Sequence, residues 1–120
     1  MRSAIRLLVI AGLAAGLGCL AYAAEVQGIL LDRECSPKIV QAKDQKAAQA
    51  HTRSCALMDA CVKAGYGVFT ADGQFVILDP AGNLKAVAAL KASRIKDNIR
   101  VQVSGDQTGD TMKVTAIKIL

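Results

Sequence analysis

Alternation is plainest in the closing third of the chain. Ile99, Val101 and Val103 are apolar while Arg100, Gln102 and Ser104 between them are polar, the period of a strand with one buried face. After the turn Gln107-Thr108-Gly109-Asp110, Met112, Val114 and Ala116 take up the same pattern, so NIRVQVSGD and TMKVTAIKIL read as a hairpin. The apolar phase then slips to Ile117 and Ile119, which predicts a bulge or a strand end buried on both sides. Upstream, GVFTA and QFVILD are short strands joined by Asp72-Gly73, a strong hairpin signal. EVQGILL, residues 25–31, reads as a first strand.

Helical patterns fill the intervals. In DRECSPKIVQAKDQKAAQAH, Ser36 can cap and Pro37 suits a first helical position. The alanine-rich stretch that follows is poorly amphipathic, so an exposed, fraying helix is expected. SCALMDACVKAG reads as one further helix that Gly65 ends. PAGN reads as a turn, and NLKAVAALKAS as a short helix presenting Leu84, Val87 and Ala88 on one side.

The order is strand, helical insertion, hairpin, helix, hairpin. It predicts a mainly β fold with helices (α+β), a small five-stranded OB-like barrel. The helical insertion lies between strands 1 and 2, and a helix lies between strands 3 and 4. A plain α+β sheet is the alternative, because element order does not prove closure. No repeat or linker divides the segment.

The N-terminus changes how much of the chain belongs to this domain. Arg2 and Arg6 precede LLVIAGLAAGLGCLAYA, and Ala21-Tyr22-Ala23 forms a small-x-small cleavage box. Residues 1–23 therefore read as a secretory signal peptide, and residues 24–120 as a single OB-like domain, periplasmic or secreted, with no membrane span after cleavage. Gly16-Leu17-Gly18 before Cys19 lacks the large aliphatic residue of a lipoprotein box, so Cys19 reads as discarded with the signal. The mature part keeps thirteen bases against ten acids, a charge of +3. Its bases are scattered, it has no Trp, and its few aromatics (Tyr66, Phe69, Phe75, with Tyr22 at the cleavage box) offer no stacking platform, which argues against nucleic acid as a partner.

Gly28-x-Leu30-x-Asp32-x-x-Cys35, His51-Thr52-x-x-Cys55-x-x-Met58-x-x-Cys61, Gly65-Tyr66-Gly67 and the Asp72-Gly73 hairpin form a pattern. It resembles a group of small exported bacterial proteins of uncharacterised function. The likeness covers nearly the whole mature chain and implies export but no activity. A more distant likeness to periplasmic OB-fold proteins rests on element order alone.

Three cysteines remain after cleavage, Cys35, Cys55 and Cys61, in a compartment where disulfides persist. On one regular helix His51, Cys55 and Met58 share a face, while Cys61 lies about 240° beyond Cys55. Those two sulfurs cannot bridge each other within a continuous helix, so each looks to Cys35. The economical arrangement is one disulfide, Cys35–Cys61 by preference and Cys35–Cys55 nearly as defensible, with the other thiol left free. Its loop of roughly 20 to 26 residues is worth on the order of 3 kcal/mol. Under the preferred pairing Cys55 is the free thiol beside His51.

A soft-metal site is the sharper alternative. Cys35, His51, Cys55 and Cys61 make a zinc set, and the Met58 thioether would suit copper. A third reading activates Cys55 by His51, but no residue to orient the histidine is identifiable. Asp106 and Asp110 do not have calcium-loop spacing. Asp32 reads as a cap or turn residue at the first strand's end. The expectation is a non-enzymatic binding or envelope-associated module needing no cofactor, its partner a small ligand or an envelope protein. Metal handling through His51 and the cysteines is the rival.

Overall fold

The computed structural model describes residues 20–120. The signal-peptide reading and the lipoprotein-box question at Cys19 fall largely outside those residues. Among the described residues no helix is long and apolar enough to cross a membrane.

Five strands, β1 (Tyr22–Asp32), β2 (Tyr66–Phe69), β3 (Phe75–Leu78), β4 (Arg100–Thr108) and β5 (Thr111–Ile119), close into a barrel in the order β1-β2-β3-β5-β4. β4 returns to pair with β1 along Tyr22–Ile29, and β3 meets β5 in parallel. This is the OB-like order expected, and closure removes the open-sheet alternative. Leu30, Val68, Val76, Leu78, Val101 and Val103 fill the interior. They are the inward half of each alternating strand.

The bulge forms one residue before the phase slip. Ser104 pairs with Ala116 but Gly105 with Val114, which leaves Thr115 as the extra residue. Met112 and Val114 are buried before it, Thr115 and Ala116 face out, and Ile117 and Ile119 turn back toward the core. Ala116 therefore does not share the face of Val114.

A helix α5 (Pro80–Ala92) joins β3 to β4. PAGN is its first turn, not a separate turn, because the Asp79 carboxylate accepts the Gly82 N–H at 2.9 Å and Pro80 occupies the opening turn. The buried face is Gly82, Ala86 and Leu90, at i, i+4 and i+8, while Leu84 stays 75% exposed. The helix lies so close to β5 that a methyl group on Gly82 would strike Val114. Close approach therefore selects the small residues rather than the largest apolar ones.

The insertion between β1 and β2 is four short helices, α1 (Pro37–Ala42), α2 (Gln45–Ala50), α3 (Arg53–Ala56) and α4 (Asp59–Ala64). The first part covers the outside of the barrel. Ile29 and Leu31 of β1 and Phe69 of β2 point outward and are buried with Ala48, Ile39, Val40 and Phe75. The barrel thus has apolar layers on both sides of β1–β3, which explains why β1 reads as a run rather than an alternation near its end.

SCALMDACVKAG is not one helix. Leu57 ends α3, and Met58 takes an extended conformation (φ −64°, ψ 147°) that opens α4. In a straight helix Ala56 and Cys61 would diverge by about 140°. The break lets both be buried, Ala56 at 1% and Cys61 at 2% exposure. Gly65 does end the segment, with φ 87°.

Candidate functional site

β1 ends in Asp32, opposite Tyr66 of β2 and two residues beyond the interior Leu30. The alternation that sends Leu30 inward therefore carries a carboxylate to one end of the barrel interior, where it is fully buried. Every donor there comes from the insertion. Asp32 Oδ2 accepts the backbone N–H of Cys35 at 2.8 Å and of Glu34 at 3.1 Å, an Asx turn leading the chain out of the strand. Its Oδ1 takes His51 Nε2 at 2.6 Å. The ionised oxygen can only accept, so Nε2 carries the proton.

Cys35 and Cys61 complete the group. Their sulfurs and an Asp32 oxygen all lie within 4.8 Å of one another. Both are free thiols in this structure, near each other but not bonded, with Cys35 exposed and Cys61 buried. Below them the Tyr66 hydroxyl donates to the Ala56 carbonyl at 2.6 Å, and no buried side-chain polar atom among the described residues lacks a partner.

The electrostatics follow from these contacts. Burial pushes the Asp32 carboxyl up, but the hydrogen bonds from His51, the Cys35 N–H and the Cys61 thiol outweigh it and bring it to about 2. Burial first, then the Asp32 carboxylate and Cys35, push the Cys61 thiol up to about 12. Burial, with the charges of Asp32 and Cys61, also pushes Tyr66 up to about 12. Near neutral pH the group is therefore a carboxylate surrounded by donors, with a protonated thiol and a protonated phenol.

Of the residues singled out by their spacing, Cys35 and Cys61 come together and His51 joins them through Asp32. Cys55 does not belong to this group, and Met58 stands 57% exposed. The shared His51–Cys55–Met58 face required one continuous helix. His51 instead caps the C-terminal end of α2, and Cys55 lies within the single turn of α3, its N–H donating to the hydroxyl of the N-cap Thr52 at 3.1 Å. Asp32 is a turn residue, as expected, but it is also the hub of the site. An acid at the inward phase of an apolar strand was the available signal, since such a position needs a buried partner.

The group is polar and, apart from the exposed Cys35, largely buried beneath the insertion. No protein-family model matches the chain, and no curated protein or solved structure matches it either.

Proposed function

We propose that the protein is a small exported binding module, non-enzymatic, whose helical insertion is fastened to the barrel by a Cys35–Cys61 disulfide. Its partner is a small ligand or an envelope protein. The approach of the two sulfurs to within 4.8 Å, still unbonded, supports the disulfide. Cys55 is then the free thiol. Export is supported by the basic, apolar and small-x-small order of residues 1–23. Cleavage near Ala23 would leave β1 paired with β4 from Ala24 onward. A structural role for Asp32 is supported by its partners, since it accepts the backbone N–H groups of Glu34 and Cys35 and holds His51 Nε2, all from the insertion.

One observation favours a second reading. Asp32, Cys35 and Cys61 form a compact donor set for a soft cation such as zinc or copper. The fit is incomplete, since the set supplies three donors where structural zinc takes four, and the thioether of Met58 is turned to solvent.

Intact mass of the exported protein, native and denatured, after alkylation of free thiols separates the two. One label on Cys55, a mass two protons below the reduced value and no metal is the expected result. Three labels after denaturation, with a native mass heavier by one metal ion, would replace the disulfide reading by the metal one.

A further inference from the structure

On the barrel's outside, the start of α3 faces the segment that leaves α5. Arg53 and Ser54 from one side, and Lys91, Ser93, Arg94 and Lys96 from the other, line an open cleft of about 630 Å³. Backbone bonds hold its walls together. The Arg53 N–H donates to the Lys96 carbonyl at 2.8 Å, and Thr52 forms a bridge with Asp97.

Arg53 is itself anchored. Its Nε donates to the Leu90 carbonyl at 2.6 Å, and Nη2 reaches the Lys91 carbonyl at 3.4 Å. The guanidinium is thereby oriented with donors to spare, because it has five N–H groups. The Ser93 hydroxyl oxygen accepts the Ile95 N–H at 3.1 Å, which leaves its own proton free to donate.

No carboxylate lines the cleft, and the one ion pair among the described residues is His51–Asp32. Four bases therefore line the cleft and none of them is in an ion pair, the acid on this wall being Asp97, which bridges Thr52 and is not among the lining residues. Complementing the C-terminal dipole of α5 accounts for Lys91 and Arg53. It does not account for Arg94 and Lys96, which lie past the helix end and raise the local positive potential.

We propose that this cleft binds a soluble ligand carrying adjacent phosphate groups. Arg53 would supply a fixed fork for one phosphate, Lys91, Arg94 and Lys96 the charge for its neighbours, and Ser54 and Ser93 neutral donors. A multivalent anion fits better than a single phosphate because it relieves the mutual repulsion of several bases at once. The inference rests on the binding-module reading and names its ligand class. The cleft contains no cysteine, so its test is independent of the thiols.

Tripolyphosphate and, separately, inorganic phosphate would be titrated into the full exported protein at low ionic strength. Calorimetry would give affinity, and amide NMR shifts would locate the site. The expected result is saturable binding, tighter for tripolyphosphate, with shifts concentrated at residues 52–54 and 91–96. R94Q/K96Q should raise Kd roughly tenfold or more, whereas K38Q/K118Q, which removes the same charge from exposed positions elsewhere, should change it little. All four side chains are exposed, and the amide spectrum reports whether each variant is folded. Absent binding, equal weakening in the two double variants, or shifts centred elsewhere would overturn the assignment. So would uptake by phosphatidylglycerol vesicles without tripolyphosphate binding. If the phosphate titration fails while Cys35 and Cys61 are found oxidised, this inference falls and the binding module stands.

Discussion

Asp32 shows how one residue can join a strand to the segment folded over it. Its partners come from residues 34, 35 and 51, so forming the carboxylate's hydrogen bonds orders the insertion at two separate points. Its folded pKa of about 2 lies below the ordinary 3.8. A group depressed in this way adds stability that is fully present above its unfolded pKa and is lost as pH falls through the folded one. In the reduced protein, where the Cys61 thiol also donates to Asp32, the loss is expected between about pH 4 and pH 2 and amounts to roughly 2 kcal/mol. Asp32→Asn keeps the shape but removes the charge. It should lower stability at neutral pH by about 1–3 kcal/mol and flatten this acid limb, as urea denaturation across that pH range would read. An unchanged acid limb would assign it to other carboxylates.

Among the elements, the last hairpin is the most sharply specified. The bulge at Thr115 reverses which side chains of β5 face inward, and it sits beside Gly105. A methyl group there would fall on the Lys113 carbonyl oxygen, a backbone atom that cannot swing away. Gly105→Ala is therefore expected to destabilise by about 1–3 kcal/mol, whereas Thr115→Ser, which keeps the hydroxyl's bond to the Ser104 carbonyl (3.1 Å) on an exposed side chain, should stay within about 0.5 kcal/mol. Equal effects in chemical denaturation would count against the close approach. Alternation made this hairpin and its phase slip legible. It could not identify the buried stripe of α5, because the choice of Gly82 and Ala86 over Leu84 depends on how near β5 lies. The break at Leu57–Met58 was equally hidden. Local propensity favours a continuous helix there, and burying Ala56 and Cys61 together overrides it.

Taken whole, the molecule is a closed barrel with an interior core and a second apolar layer outside β1–β3, under α1 and α2. OB-folds commonly use the face of strands 2 and 3 for ligands. Here Phe69 and Phe75 of that face are packed against the protein's own helices. The insertion is tied down by that layer, by Asp32 and, in the proposed oxidised state, by the disulfide. Closing a loop of about 26 residues contributes roughly 3 kcal/mol. Cys35→Ser and Cys61→Ser should each lower the stability of the oxidised protein by about that amount, and the double variant by no more than either alone. Additive losses in thermal unfolding would mean that the two thiols act separately.

The sequence by itself determined the five strands and the order of elements along the chain. Alternation, turn residues and cysteine spacing are local properties that survive without the fold. Only the tertiary structure decided which partners were chosen. His51 lies 19 residues from Asp32 and Cys61 lies 26 from Cys35. Arg53 meets the end of α5, 37 residues away, at a wall of the basic cleft. Those meetings depend on barrel closure and on the break after α3, and both arise from burying surfaces that are distant along the chain.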